Sequence, residues 1–310
     1  MPLIPVLLLL AAVILVNGWT DAPNAIATPV AAGVLPFPAA AAMAALCNLA
    51  GVLSAAAGND AVARTLYSIA DFGPSALPAL TAALAGTAVW AVAAWRFGIP
   101  TSESHALVAG LTGAALGVGA EALRLKPLAL VGVGLVLSLL LGQLLGRLFA
   151  RLLPPRGGRL YRRGQVLGAA LTAFLHGAQD GQKFLGVLAL ITALGRGGFS
   201  LPGWAAPACA ALMALGTLMG GRRIIDTVGR RMVTLDPRTG FAADLGCAAS
   251  LAFCTLMGLP VSTTHAKTAA ILGAGADADL RVARSLGLTW LLTFPGCGSI
   301  SFFLVKCLIL

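Results

Sequence analysis

Ionisable residues are sparse along this chain, and the gaps between them are long enough to cross a membrane. Windows free of Asp, Glu, Lys and Arg run over 1–20, 22–59, 72–95, 127–146, 197–221, 245–266 and 285–305. A helix spanning the hydrocarbon core needs about 20 predominantly apolar residues, so each window predicts at least one crossing. Shorter or interrupted apolar stretches at 104–120, 164–179 and 184–195 each adjoin an ionisable residue, which brings the total to about ten segments, some of them broken. The first segment has an apolar core at Met1–Val16 but no basic residues before it, and Asn17 to Asp21 does not resemble a cleavage site. It therefore reads as a span and not as a signal peptide.

Composition narrows the class further. Of 310 residues, 58% are hydrophobic and 10% charged, with a mean hydropathy of +0.91. Soluble domains carry about 25% charged residues, so an ordinary cytosolic enzyme is excluded and a separate soluble domain has no room. The expected class is an all-α polytopic membrane protein.

A net charge of +10 suggests nucleic acid, but the placement of the charges excludes it. Arg147, Arg151, Arg156, Arg159, Arg162 and Arg163 cluster around a Pro-Pro-Arg-Gly-Gly loop, and Arg222, Arg223, Arg230, Arg231 and Arg238 cluster in a second loop. Short basic loops between apolar spans mark the cytoplasmic side of a plasma membrane, where they also attract anionic lipid. The six cysteines lie in apolar stretches without CxxC spacing and read as packing residues.

The chain also repeats itself. Asn17-Gly-Trp-Thr-Asp21 aligns with His176-Gly-Ala-Gln-Asp180 at offset 159, and Pro100-Thr-Ser-Glu-Ser-His105-Ala with Pro260-Val-Ser-Thr-Thr-His265-Ala at offset 160. The second match continues to Gly113 and Gly273. Two agreeing offsets divide the chain into repeats 1–157 and 158–310 within one membrane domain. The basic loop 222–238 corresponds to 62–78, which holds Arg64 and Asp71 and has no net charge. That asymmetry is expected when equivalent loops face opposite sides, as in the inverted repeats of secondary transporters. Inversion requires an odd number of crossings per half, and with the central loop inside it puts both termini outside. Five spans per half, or three spans and a re-entrant hairpin, both satisfy it.

Each repeat places an Asp in an apolar stretch with amides nearby: Asp21 with Asn17, Asn24 and Asn48, and Asp180 with Gln179 and Gln182. A carboxylate inside a membrane costs at least roughly 2.5–3.5 kcal/mol at a helix centre, so it marks a functional site by default. Gly18 and Pro23 predict a helix break at Asp21 that frees carbonyls for a cation; a cap on a break made for packing is the alternative. Pro100-Thr101-Ser102 and Pro260-Val261-Ser262-Thr263 read as helix starts. Their free N–H groups and hydroxyls suit an anion, and two such ends meeting at the midplane would cradle a tetrahedral oxyanion. Ser/Thr capping explains either one alone. His105 and His265, one turn further on, read as orienters of these tips and not as metal ligands. Lys183 and Lys267 would offset an anion, pair with Asp180 or Glu103, or extend to the interface.

Together these residues resemble the inorganic phosphate transporter (PiT) family, compact prokaryotic type. Its duplicated signature, roughly NGxxDxxNA and SHGANDGQK, matches Asn17-Gly-Trp-Thr-Asp-Ala-Pro-Asn-Ala25 and Leu175-His-Gly-Ala-Gln-Asp-Gly-Gln-Lys183. Its PxSxxH tips match Pro100–His105 and Pro260–His265, and Gly216-Thr217 through Gly240-Phe241-Ala-Ala resembles the connecting segment. The resemblance implies symport of phosphate with protons or sodium, and favours re-entrant hairpins over five full spans. It implies that Asp21, Asn24, Asp180 and Gln182 line the phosphate and cation sites, with Asn17 and Glu103 assisting coupling and sodium possible at Asp21 and Asp180. Thr101, Ser102, Ser104, Ser262, Thr263 and Thr264 would donate to phosphate.

The chain departs from the family pattern at Gln179 and Thr20, where Asn is common, and at Glu103, a tip carboxylate opposite Thr263 of the second repeat. Glu103 either favours the helix dipole or titrates or binds a cation during transport. Expected partners are phosphate, the coupling cation, membrane lipid and possibly a second copy of the chain, with no resident cofactor. Sulfate, a metal–phosphate complex and an anion channel are the competing readings. A membrane enzyme has only His176 beside Asp180 to recommend it.

Overall fold

Backbone polar groups in lipid must be satisfied within their own segment, which makes helices of the apolar windows. The computed structural model describes residues 3–97, 101–155, 157–194, 198–275, 277 and 279–309; among these it is helical, with one isolated bridge between Ala70 and Leu123. Pro100 and Arg156, both used in the sequence reading, lie outside the described residues.

The first half contains α1 (Leu3–Thr20), α2 (Ala27–Ala31), α3 (Phe37–Gly58), α4 (Ala61–Tyr67), α5 (Ala76–Arg96), α6 (Glu103–Val118) and α7 (Leu125–Leu152). The second contains α8 (Gly158–Thr192), α9 (Ala205–Met219), α10 (Arg222–Ile225), α11 (Pro237–Leu256), α12 (Thr263–Ala274) and α13 (Leu280–Ile309). Among the described residues six helices are long and apolar enough to cross a membrane: Leu3–Ala31, Phe37–Gly58, Gly73–Arg96, Leu125–Leu152, Pro237–Leu256 and Arg281–Ile309. Ala205–Met219 and Arg222–Arg231 form a further apolar pair bent by 68°.

The first helix breaks at Asp21, as expected, but Gly18 is not what breaks it. It lies inside α1, where an added Cβ would sit 2.3 Å from the Met213 carbonyl, so it is small to admit α9. The break follows Thr20, where Ala22–Ile26 forms a 3₁₀ turn with Pro23 in its first positions. The stretches 164–179 and 184–195 are not separate segments. Both belong largely to α8, which runs through Asp180 and Lys183 for 35 residues, about 52 Å at 1.5 Å per residue. The two charges pair with each other, so the helix can carry them through the interior.

α6 and α12 have 16 and 12 residues, about 24 and 18 Å, too short to cross a core of about 30 Å. Ser102 and Ser262 cap them, each accepting from the backbone N–H of its His, His105 or His265, at 3.1 Å. The two starts meet inside the protein: Thr264 Oγ1 lies 3.4 Å from the Thr101 carbonyl, and the His105 and His265 rings are 5.0 Å apart, edge to face.

Helix neighbours come in matched pairs. α3 packs on α8 as α9 packs on α1; α6 packs on α13 as α12 packs on α7; α5 and α11 add α1 and α8, respectively. Small residues permit this, as is common between helices in membranes. A Cβ on Gly113 would fall 2.0 Å from the Gly298 carbonyl, and one on Gly273 2.1 Å from that of Gln143. Leu130, Val133, Val136, Leu140 and Leu144 of α7 point outward, whereas Asp, Asn, Gln, Lys and His side chains are buried at the centre. Apolar outside and polar inside is the arrangement of a multi-pass membrane protein.

The two basic clusters share one face, because Arg238 donates to the carbonyls of Leu153 at 2.9 Å and Ala150 at 2.5 Å. Phe37 starts α3 on that face, with its ring 4.8 Å from the Arg222 guanidinium. Residues 59–72 follow the other end of this 22-residue helix and so lie on the opposite face.

Candidate functional site

The helix break brings Asp21 and Asn24 together. Asn24 Nδ2 donates to the Asp21 carbonyl at 2.9 Å and to its Oδ1 at 3.0 Å, an arrangement a regular helix would not offer at this spacing. Asp21 Oδ1 also accepts from Thr264, and Oδ2 lies 3.5 Å from Thr263 Oγ1. Asn24 Nδ2 reaches Thr264 Oγ1 at 3.2 Å. The start of α12, in the second repeat, is thereby tied to the carboxylate of the first.

The reciprocal connection serves Asp180. Ser104, at the start of α6, donates to Asp180 Oδ1 at 3.3 Å, and Asn17 donates to Oδ2 at 3.0 Å. Lys183, one helical turn on, places its ammonium 2.6 Å from Asp180 Oδ1 and 2.6 Å from Ser104 Oγ, and also donates to the Val261 carbonyl. His176 Nε2 is 3.5 Å from Asp180 Oδ2, and its Nδ1 is 2.9 Å from Asn48 Oδ1. Asn48 donates in turn to Thr217 at 3.1 Å, so α3, α8 and α9 are all connected to the site. By distance alone Asp21, His176 and Asp180 could hold an ion, since one ligand atom from each lies within 4.8 Å of the others.

Glu103 joins the first-repeat side, where its Oε1 accepts from Thr20 Oγ1 at 2.5 Å. Its Oε2 is buried without a hydrogen-bond partner, as are Asn17 Oδ1 and Asn24 Oδ1. Buried acceptors without donors are costly and rare unless a ligand completes them. Asn24 Oδ1 is on the amide that bonds Asp21 and Asn17 Oδ1 on the amide that bonds Asp180, so unsatisfied oxygens accompany both carboxylates. Asp21, Glu103, Asp180 and Lys183 are each at most 1% exposed, so the cluster is closed to bulk water. A surface cleft of about 910 Å³ lined by Tyr67, Asp71, Arg124 and Lys126 contains none of these residues.

Not every expected residue joins the cluster. Gln182 accepts from the Val62 backbone N–H at 3.1 Å and donates to Ala178 O at 3.2 Å. On a continuous helix it lies two positions from Asp180 and faces away, so it anchors α4. Gln179 donates to Thr255 and the Leu259 carbonyl, at 3.2 and 3.0 Å. The Thr101 hydroxyl faces Trp90 Nε1 at 3.2 Å and Thr293 at 3.3 Å, leaving its carbonyl toward the tips. Ser102 and Ser262 use oxygen lone pairs as caps and keep their hydroxyl protons free to donate.

Sequence reading misses Asp244. It ends an apolar window and so looks like a surface charge, but it is fully buried, accepting from Lys267 and, at 2.6 Å, from Thr28. Lys267 also reaches Thr28 Oγ1 at 3.2 Å and the Ala25 carbonyl at 3.3 Å, so this second ion pair braces the broken helix behind Asn24. The signal available was the pairing need of Lys267 itself.

Comparison with known proteins identifies the family. A model of the "Phosphate transporter family" matches residues 17–156 and 153–301. A probable low-affinity inorganic phosphate transporter of Rhizobium meliloti (strain 1021) is 38% identical over 307 residues, covering 92% of this chain and 90% of its own. One of the same description from Bacillus subtilis (strain 168) is 33% identical over 314 residues, covering 94% and 93%. A solved structure entitled "The sodium-dependent phosphate transporter" shares the fold with a TM-score of 0.89 at 20% identity, over 99% of this chain and 98% of that one. Alignment of this extent and identity, over both motif-bearing halves, shows that the chain belongs to the phosphate transporter family, whose members are membrane transporters and not enzymes.

Proposed function

We propose that this chain carries inorganic phosphate together with a proton or sodium ion by alternating access between two inverted repeats, 1–157 and 158–310. The observation that carries the reading is the crossed pair of contacts, Ser104 with Asp180 and Thr264 with Asp21. Each hydroxyl-bearing helix start of one repeat holds the buried carboxylate of the other, so a ligand between them bridges both halves. Inversion is supported by the matched helix pairs and by the position of 59–72 opposite the basic loops. The basic face is cytoplasmic on the charge rule.

Phosphate binds at the starts of α6 and α12. N–H groups, the hydroxyls of Ser102, Ser262 and Thr263, and the helix dipoles supply neutral donors there, with Ser104 and Thr264 joining them when their protons turn from Asp180 and Asp21 to the anion. The cation sits by Asp21, with Asn17, Asn24 and Glu103 offering oxygens. A cation there offsets the carboxylate, so loaded and empty carriers reorient more readily than half-loaded ones. The ammonium on Asp180 reduces the negative charge around the Asp21, His176 and Asp180 trio, which favours a singly charged cation over a divalent metal or a metal–phosphate complex. A channel has no need of two buried carboxylates tied crosswise to the tips.

Radiolabelled phosphate uptake into proteoliposomes tests the proposal, with sodium, pH and divalent metal varied independently and sulfate as competitor. Saturable uptake with counterflow, driven by sodium or a proton gradient and resistant to sulfate, is expected. Flux that neither saturates nor couples would show a channel, and efficient competition by sulfate would widen the substrate to tetrahedral oxyanions.

A further inference from the structure

The two carboxylates occupy equivalent positions in the repeats but have unlike companions. Three residues after Asp21 stands Asn24; three residues after Asp180 stands Lys183. We propose that Lys183 is a tethered cation, fixed at Asp180 in the place that a transported cation takes at Asp21, so that only the Asp21–Glu103 end exchanges ions. The inference rests on the coupled-transport reading above and adds to it which end binds the coupling ion.

Lys183 is 1% exposed, and its ammonium has three oxygen acceptors: Asp180 Oδ1, Ser104 Oγ and the Val261 carbonyl. An ammonium has three N–H donors, so its hydrogen-bonding capacity is filled. These acceptors come from α8, the start of α6 and the approach to α12, the same kinds of element that surround Asp21. Both Asp180 oxygens have donors, from Lys183, Ser104 and Asn17. Nothing on that carboxylate calls for a further cation.

Asp21 differs on each count. Its donors are the neutral Thr264, Asn24 and Thr263, and among the described residues no Lys or Arg pairs with it. Asn24 Oδ1, on the amide that bonds Asp21, lacks a donor, as does Glu103 Oε2; in the second repeat Gln165 Oε1, Gln179 Oε1 and Asp244 Oδ2 lack donors too, so the contrast rests on the ammonium. Among the described residues Asp21 and Glu103, whose carboxyl groups contact each other, have no ammonium between them, whereas Asp180 has one. A permanent charge at Asp180 and an exchangeable one at Asp21 give fewer cations per phosphate than amides at both positions would. The ammonium also touches Ser104, which sets it beside the anion seat.

The test counts cations per phosphate in proteoliposomes, at zero membrane potential, from the phosphate gradient at which net flux reverses under an imposed sodium or proton gradient. Lys183→Asn gives the second repeat the Asp-x-x-Asn of the first. It is expected to add one cation per phosphate, so a tenfold cation gradient balances an about tenfold larger phosphate gradient than in the unaltered protein. The same reversal point in both proteins overturns the proposal. Asp21→Asn provides a second reading: phosphate binding to the purified protein is expected to lose its cation dependence, and residual dependence would place an exchangeable cation at Asp180. Absence of phosphate flux in the unaltered protein refutes the transport reading instead, whereas flux with the wrong ratio refutes only the tethered cation.

Discussion

Thr264 donates its hydroxyl to Asp21 Oδ1 across 243 positions of sequence. Ser104 makes the counterpart contact with Asp180 at 3.3 Å. Because each contact joins the two repeats, any motion that separates the repeats must break or carry it. On the proposed transport reading, this places the carboxylates where ion binding is felt by the element that moves.

Removing that hydroxyl should strengthen cation binding, because the hydroxyl stabilises the bare carboxylate that the cation must compete for. Thr264→Val keeps the side-chain shape and deletes the donor. A hydrogen bond to a charged group contributes about 1.5–3 kcal/mol, or roughly ten- to hundredfold in affinity. The cation concentration giving half-maximal phosphate uptake is expected to fall by about tenfold or more, measured in proteoliposomes against sodium and pH. An unchanged half-point would detach Thr264 from the cation end.

The two aspartates should respond differently to the same substitution. Asp180→Asn leaves the Lys183 ammonium buried without its counter-charge, a loss of about 3–5 kcal/mol for a broken buried pair. Asp21→Asn removes a buried carboxylate that has no basic partner among the described residues, so stability should hold or rise. Thermal unfolding of the purified proteins distinguishes them: a large drop for Asp180→Asn only, with coupled uptake lost in Asp21→Asn despite its intact fold. Equal melting of both would mean that Lys183 does not stabilise the protein through Asp180.

Much of this was legible in the sequence because the determinants are local or repeated. Charge-free windows predicted the spans, and the 160-residue offset placed Ser102 and Ser262 as equivalent helix starts. What escaped was long-range. No pattern shows that Ser104 meets Asp180, which depends on how the repeats dock, or that Thr20 meets Glu103, which depends on how distant helices of the first repeat pack. Gln182 was misread because motif matching ignores helix phase: in an unbroken α8 it faces away from Asp180. Asp244 was hidden because its partner, Lys267, is 23 residues away on another helix.

Close helix approach gives a prediction independent of charge. A Cβ on Gly177 would lie 2.2 Å from the Asn48 carbonyl, so Gly177→Ala must push α3 from α8 and disturb the Asn48–His176 contact. Overpacking of this kind costs typically about 1–3 kcal/mol. Gly132→Ala on α7 has nothing within 4 Å of the new methyl and should leave stability unchanged or slightly raised. Melting temperatures of the two variants check this, and a neutral Gly177→Ala would show that α3 can shift without cost.

The Lys267–Asp244 pair raises the question of whether a buried charge pair serves the fold or the transport cycle. Lys267→Met alone strands a fully buried carboxylate and should cost about 3–5 kcal/mol. Lys267→Met/Asp244→Leu replaces both charges by apolar groups, and such replacements are often neutral or stabilising because desolvating two ions offsets much of their attraction. Stability of the double variant is therefore expected to return to about the original level. Uptake decides the role. Lys267 also holds the Ala25 carbonyl and Thr28, just beyond Asn24, so a purely structural brace predicts near-normal uptake once stability is restored. A double variant that melts normally yet fails to carry phosphate would show that the pair must break and re-form as the broken helix moves.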